Sequence, residues 1–339
     1  MKIFSEYFNS GSVKQQNMKR LGGLLICITA LLLVLTLVTL SVSSIVIVVK
    51  ARRAAQNTDD PANTGTNILD GYTTTTFDGV YSIAEGSLLL LDASHSYTGS
   101  KSTVQPTSNM RAKDDNGNAL YRGDYGEIHL TQETLDAFNA LMLAFHEAKK
   151  DAEGYEIGRL YLDSNLSPKS ATPSEDTKAV LAAGLGLILA EQALDSTENE
   201  VTIFDSEATR PTGKGVYAWI YENAHLYGFV RVSDAKEEGN IFRYVGIPHA
   251  TYMKNNNKTL AEYLTYLREN KNAHNSVLNI SAKDLDGNSV TYRVYYQAAN
   301  AETAPIVPDP NSPKKYTYEV SGDNMGGYII TVNTTKKTK

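Results

Sequence analysis

The sequence predicts an α+β fold, and three observations from the second half of the chain carry that prediction. Apolar residues recur at helical spacing over 135–145, 218–227 and 260–267. Residues 289–296 alternate with period two, and residues 326–332 are rich in β-forming side chains. Three amphipathic helices are thus followed by strands. We expect an α+β domain with a small β-rich extension at its C-terminal end.

Each predicted helix has a recognisable boundary. Thr131 is a suitable N-cap for the first helix, although Thr134 stands where a capping box has an acidic residue. Gly228 should end the second helix at Tyr227. The buried face of the first helix should comprise the apolar residues Leu135, Phe138, Leu141, Met142 and Phe145.

The remaining segments predict strands and loops. The apolar run 87–92, between Gly86 and Ser94, is typical of a short buried strand. Residues 98–124 are rich in Ser, Asn, Asp and Gly, which predicts a long surface excursion. Asp286-Gly287 is a hairpin turn signal between two predicted strands of the β-rich extension.

Charge is distributed unevenly along the chain. Residues 1–53 carry a net charge of +6, whereas the whole chain carries −6, so residues 54–339 carry −12. An acidic globular part repels nucleic acid, and no basic stripe with interleaved aromatic residues is present. Nucleic-acid binding is therefore excluded from the functions considered.

The N-terminal part contains a candidate membrane anchor. Residues 21–49 include no charged residue, and a helix of that length spans roughly 43 Å, more than the ~30 Å hydrocarbon core. A cleaved signal peptide and a buried core helix are the alternatives. The run exceeds the length of a signal-peptide apolar region, and no small-x-small cleavage site follows it. We expect a retained single-pass anchor, from Leu21 to Val49.

The flanks of this anchor complete the predicted organisation. Residues 1–20 should form a cytoplasmic tail, because the long C-terminal part is acidic and is expected outside. Residues 50–79 are polar and predict a linker, and the basic residues 334–339 predict a frayed tail. The one cysteine, Cys27, lies in the apolar run, so the outer part has neither a disulfide nor a cysteine metal site.

Three linked segments in the second half of the chain resemble VanY-like D-alanyl-D-alanine carboxypeptidases. That family shows W-x-x-x-N-A-x-x-Y-G-F, then E-x-W-H-F-R-Y-V-G-x-x-H-A, then L-x-E-Y-L. Here Trp219 is followed by ENAHLYGF at 222–229, FRYVGIPHA at 242–250 and LAEYL at 260–264, in the same order and spacing. Fainter similarity covers residues 80–333.

The resemblance implies a fold, a location and a reaction. The fold is an antiparallel sheet with flanking helices over residues 80–276, and residues 277–333 resemble the β extension of some relatives. The reaction is zinc-dependent removal of the terminal D-alanine from peptidoglycan stem peptides outside the cell membrane. The expected partners are therefore the membrane and peptidoglycan or its stem peptides.

The residues that should hold zinc are, however, aliphatic. A catalytic zinc site needs three protein ligands, an open position for water and a carboxylate that accepts the proton of the water. The family supplies these groups from S-x-H-x-x-G-x-A-x-D and E-x-W-H. Aligning the first motif at Gly184 places Leu181 at the histidine and Ile188 at the aspartate. The second motif places Ile241 at its histidine and Glu238 at its general base.

No other residue in the sequence restores these ligands. The first alignment rests on a short apolar stretch, but residues 147–224 contain no histidine that a shift could recruit. The family's S-G-Y-R-S segment, whose arginine binds the substrate carboxylate, falls near 160–164, where Arg159 is out of register. The six histidines show no H-E-x-x-H spacing, and each of them is expected to be structural or exposed: His95, His129, His146, His225, His249 and His274.

The sequence therefore favours a member of this family without zinc and without hydrolytic activity. Glu238 keeps the general-base position, but without metal-bound water it has no proton to accept. Trp219 and the segment 242–244 are expected to be packing groups. An active peptidase with relocated ligands and a purely structural surface protein are the alternatives.

Overall fold

The computed structural model describes a compact part of the chain within the unit Ala62–Lys339. The predicted anchor, Leu21–Val49, and Glu238 lie outside the described residues. Among the helices that are described, none is long and apolar enough to cross a membrane. The described ranges are 74–76, 82–99, 111–123, 128–163, 175–192, 201–203, 216–232, 241–271, 276–299, 304–309 and 316–337.

A six-stranded sheet runs through residues 122–244 of this unit. Its strands are β2 (Arg122–Gly123), β3 (Leu160–Asp163), β4 (Gly186–Gln192), β5 (Val201–Ile203), β6 (Phe229–Arg231) and β7 (Ile241–Tyr244). Their order in the sheet is β2-β3-β4-β7-β6, with β5 paired to β4. The pair β2–β3 is parallel, and the other pairs are antiparallel, as predicted for the sheet.

Helix α1 (Gln132–Lys149) covers one face of this sheet and confirms the first predicted helix. The side chain of Thr131 caps it by accepting a hydrogen bond of 3.2 Å from Thr134 N. The predicted apolar face is buried against Leu187 and Leu189 of β4, and we call the hydrophobic core between this helix and the sheet the main core. This face comprises Leu135, Phe138, Leu141, Met142 and Phe145.

The second predicted helix has two geometries. An α-helix, α3 (Ala218–Asn223), continues as a 3₁₀ helix over Ala224–Tyr227. Gly228 ends it as predicted, with a φ of +88°. A Cβ at this position would lie 2.7 Å from a ring carbon of Tyr244, so both the backbone and the packing require glycine.

Two further helices, α4 (Ile247–Asn255) and α5 (Leu260–Asn270), follow β7. Helix α5 confirms the third predicted helix and extends it by three residues. Thr259 and Glu262 form a capping box that fixes its start, since each side chain bonds the backbone N–H of the other residue.

A second sheet consists of β8 (Leu278–Lys283), β9 (Ser289–Ala298), β11 (Tyr316–Gly322) and β12 (Gly327–Lys337). Its strand order is β11-β12-β9-β8, and all its pairs are antiparallel. The predicted turn at Asp286-Gly287 joins β8 to β9, and Gly287 has a φ of +82°. The prediction of a frayed tail over residues 334–339 is wrong for residues 334–337, because β12 continues to Lys337 and pairs with β11.

This second sheet shares a hydrophobic core with the residues that precede it. Leu278, Val294 and Ile329 from the sheet pack with Met253 of α4 and Leu264 of α5, all of them buried. The boundary predicted near residue 277 therefore runs through one continuous core. The second sheet is part of the packing that stabilises α4 and α5.

The segment 87–92 was expected to be a strand, and that prediction is wrong. Leu88 and Leu89 are buried, but within the described residues this segment forms only an isolated bridge, between Asp92 and His95. Its backbone is bonded instead to the second sheet: Leu88 N donates to Ser321 Oγ, and Leu90 N donates to the Asp323 carbonyl, both at 2.9 Å.

Two segments predicted as polar connections are partly structured. Thr74–Thr76, at the end of the predicted linker, forms strand β1, which pairs with β10 (Ile306–Pro308). Within the predicted surface excursion, Leu120 and Tyr121 are buried in the main core. The hydroxyl of Tyr121 donates to Asn139 Oδ1 of α1 at 2.9 Å, so this part of the excursion packs on the helix.

Candidate functional site

The three residues aligned with the family's zinc ligands converge in the structure. Ile188 of β4 and Ile241 of β7 are direct partners across the antiparallel pair. They are 3% and 0% exposed, and Leu181 and Val232 pack against them. We call these four residues the aliphatic cluster. It lies on the sheet face opposite α1, because side chains alternate along β4 and Leu187 and Leu189 belong to the main core.

Local geometry places Leu181 over this face. It lies in the last turn of α2 (Glu175–Ala182), which ends in a turn at Gly184, where φ is +72°. The next strand begins at Gly186, where the family motif has alanine. A Cβ at Gly186 would lie 3.0 Å from Leu181 Cδ2. The glycine thus leaves the space into which the leucine packs.

The aliphatic cluster does not fit a zinc ion. Hydrocarbon side chains have no lone pair to donate, and zinc in proteins is bound by Cys, His, Asp or Glu. Within the described ranges, no group of three or more such residues converges.

The other family positions are only partly described. Leu160 begins β3 and is buried, whereas Glu238 and Ser164 lie outside the described residues. Arg159, which is out of register with the family's arginine, contacts Glu156 at 3.5 Å between Nη1 and Oε2. This arginine therefore has a nearby carboxylate within its own turn.

His249 is the most deeply buried of the described histidines, at 3% exposure. Its Nδ1 lies 2.8 Å from the Tyr263 hydroxyl, and its Nε2 lies 3.0 Å from Thr331 Oγ1. We call these three residues the His249 cluster. Burial lowers the pKa of His249 to about 3, so the ring is neutral at pH 7. The cluster joins α4, α5 and β12, as expected for a structural histidine.

Two other described histidines, His95 and His146, make local hydrogen bonds. Nδ1 of His95 lies 2.8 Å from Asp92 Oδ1, and Nδ1 of His146 lies 2.7 Å from the Tyr155 hydroxyl. His225 is half-buried, and burial, together with the charge of Lys254, lowers its pKa. His274 lies outside the described residues.

The predicted packing groups take those roles. Trp219 packs against the main core, 5.9 Å from Phe145 between ring centroids, and Phe242 is buried in that core. Arg243, on the opposite face of β7, donates hydrogen bonds to the carbonyl oxygens of Leu89 and Ser87. It therefore fixes the segment 87–92 against the sheet.

A cleft of about 780 Å³ adjoins the aliphatic cluster at Val232. It follows the edge strand β6 to the turn between α4 and α5, where Lys254 and Lys258 line it. Sequence reasoning missed this cleft, because no spacing along the chain connects these lysines with β6. Arg243 and Asp176 also line it.

Comparison with known proteins supports the family resemblance. No protein-family model matches the chain. A D-alanyl-D-alanine carboxypeptidase from Enterococcus faecium is 28% identical over 286 residues, which cover 80% of this chain and 82% of the relative.

Solved structures of vancomycin-resistance enzymes also match. The D,D-dipeptidase VanXYg, in complex with a D-Ala-D-Ala phosphinate analogue, matches 74% of this chain and 95% of its own length, at 15% identity and a TM-score of 0.47. VanYB in complex with D-alanine-D-alanine matches 53% of this chain and 97% of its own length, at 18% identity and a TM-score of 0.25. The motifs and the enterococcal relative together support membership of the chain in the VanY-like D-alanyl-D-alanine carboxypeptidase family.

Proposed function

We propose that the chain is a membrane-anchored cell-envelope protein whose carboxypeptidase-like domain does not hydrolyse peptides. The domain acts instead as a scaffold or as a module that binds peptidoglycan. The observation that carries this proposal is the direct packing of Ile188 on Ile241, with Leu181 beside them, at the positions aligned with the zinc ligands.

The physical argument concerns the environment that an ion would need. A bound zinc ion polarises water only if protein donors hold it and leave one position open. Hydrocarbon at all three aligned positions offers no donor, and the buried pair Ile188 and Ile241, with the partly buried Leu181 beside it, excludes water. Replacing a polar catalytic site by apolar packing commonly stabilises a protein, so the change is favourable for a domain that no longer has to catalyse.

The relative suggests the ligand. The enterococcal protein is named for its action on D-alanyl-D-alanine. We infer that this chain retains an affinity for stem peptides ending in D-Ala-D-Ala. The acidic character of residues 54–339 and the uncharged run 21–49 support an outward-facing domain on a single-pass anchor.

Zinc content and hydrolysis test the loss of catalysis. The full chain, purified in detergent with added zinc, should contain no stoichiometric zinc by elemental analysis. It should release no D-alanine from a stem pentapeptide, whereas the enterococcal relative assayed beside it should release D-alanine. Release by this chain that a chelator stops would instead indicate an active peptidase with relocated ligands.

Binding and location test the rest of the proposal. The full chain should co-sediment with purified peptidoglycan, and absence of binding would favour a purely structural surface protein. External protease applied to intact protoplasts should remove the C-terminal domain and leave a membrane-bound N-terminal fragment. Full protection of the domain would contradict the proposed topology.

A further inference from the structure

The cleft beside the aliphatic cluster has a basic lining. It extends from Val180 and Val232 along β6 to the turn between α4 and α5. Such a cleft, at the edge of a sheet and next to the family's catalytic positions, could admit a peptide. Its basic lining residues are Arg231, Arg243, Lys254 and Lys258.

Arg243 contributes a buried positive charge to this lining. Its side chain is 5% exposed, and its Nε has no hydrogen-bond partner among the described residues. Among the described residues, the guanidinium donates hydrogen bonds to two backbone carbonyls, those of Ser87 and Leu89, and to no carboxylate. Burial lowers the pKa of Arg243 to about 9, so it remains charged at pH 7. A buried charge without a carboxylate partner is costly and favours an anion nearby.

Two lysines that line the same cleft add to the positive charge of Arg243. Neither Lys254 nor Lys258 forms an ion pair with a described residue, and Lys258 Nζ lies 5.5 Å from the centroid of the Tyr266 ring. Lys254 also acts on His225, another residue of the cleft lining: burial lowers the pKa of the His225 ring, and the positive charge of Lys254 lowers it further.

The acidic residues of the lining offset part of this charge. The carboxylate of Asp92 accepts hydrogen bonds from the backbone N–H groups of Ser94 and His95. The carboxylate of Glu262 accepts hydrogen bonds from Thr259 in the capping box, and the charge of Lys258 also helps to lower its pKa. Four basic side chains face three acids in the described lining, the third acid being Asp176, so one net positive charge remains.

We propose that this cleft binds the terminal carboxylate of a stem peptide, with Lys254 and Lys258 contacting it and the fixed charge of Arg243 attracting it. The inference rests on the proposed function and adds to it a location for the ligand. This location differs from the segment near residues 160–164, where the resemblance places the carboxylate-binding arginine that this chain lacks.

Calorimetric titration of the full chain in detergent tests the assignment. The probe is L-Ala-γ-D-isoglutaminyl-L-Lys-D-Ala-D-Ala, in which the C-terminal carboxylate is the one carboxylate. Lys254→Ala and Lys258→Ala should each weaken binding about two- to fivefold, the range of exposed ion pairs. Lys283→Ala, on β8 outside the cleft, is the matched control and should leave the affinity unchanged. The affinity of the unsubstituted chain should also fall with added salt.

Two further ligands separate the outcomes. The C-terminal amide of the same peptide should bind more weakly than the free acid, and inorganic phosphate should compete no better than acetate. Equal binding of acid and amide, unchanged affinity in both lysine variants, or strong preference for phosphate would each overturn the assignment of the cleft. Absence of any peptide binding by the unsubstituted chain would overturn the proposed binding module together with this inference.

Discussion

The aliphatic cluster and the His249 cluster are both built around buried residues, but the first consists of apolar side chains and the second of hydrogen-bonded polar ones. In the aliphatic cluster, Ile188 and Ile241 occupy places aligned with an aspartate and a histidine, and they pack as ordinary hydrocarbon. In the His249 cluster, a histidine is equally buried, but Tyr263 and Thr331 engage both of its nitrogens. The difference indicates that this interior retains a polar ring where both nitrogens have partners.

The largest effect is expected from restoring polarity without partners. Ile188→Asp should destabilise the protein by about 5 kcal/mol at pH 7, because packing is lost and an unpaired carboxylate is buried. Burial raises the pKa of such a carboxyl, so the variant should regain stability as pH falls through the raised value. Urea unfolding measures this. Ile188→Asn is the matched control and should show much less pH dependence, and an Ile188→Asp variant as stable as the original would contradict the packed cluster.

A smaller effect concerns the pH dependence caused by His249. Its pKa is about 3 in the folded protein, below the ~6.5 of an unfolded histidine, so the folded state binds fewer protons between these values. Its contribution to stability is therefore complete above pH 6.5 and falls by about 1.4 kcal/mol per pH unit below it, reaching about 3 kcal/mol lost at pH 4.5. Urea unfolding from pH 7 to 4.5 should show a shallower decline in His249→Gln. If the free energy of unfolding fell equally with pH in the original chain and in His249→Gln, His249 would be exposed to solvent in the folded protein.

Removing one partner of the buried histidine should cost less. Thr331→Val keeps the shape of the side chain but leaves His249 Nε2 without its partner, and should destabilise the protein by about 2 kcal/mol. Thr331→Ser keeps the hydroxyl and is the control for that contact. Thermal unfolding measures both variants, and equal stability of the valine and serine variants would refute the hydrogen bond.

The smallest effect tests how the aliphatic cluster accommodates its leucine. Gly186→Ala introduces a Cβ at 3.0 Å from Leu181 Cδ2 and should destabilise the protein by about 1 kcal/mol. The same substitution in a Leu181→Ala background should cost less, because one of the two crowded methyl groups is gone and only Val180 Cγ1, also at 3.0 Å, remains. The double-mutant cycle gives the coupling energy directly. A coupling of zero would mean that the two positions adapt independently.

Much of the fold follows from local sequence. The Thr131 cap, the end at Gly228, the Asp286-Gly287 turn and the apolar face of α1 were all predicted, because capping, turn geometry and helical periodicity depend on neighbouring residues. The strand predicted over 87–92 failed for the opposite reason. Its hydrogen-bond partners lie more than 200 residues away, at Ser321 and Asp323.

The sequence by itself determined which side chains stand at the family's positions, and therefore that Leu181, Ile188 and Ile241 bring no donor atoms. Only the tertiary structure decided that these three residues meet and that Val232 joins them. It also placed Lys254 and Lys258 in one cleft with Arg243. The physical reason is that donor chemistry belongs to each residue, whereas convergence depends on strand register and helix packing between distant segments.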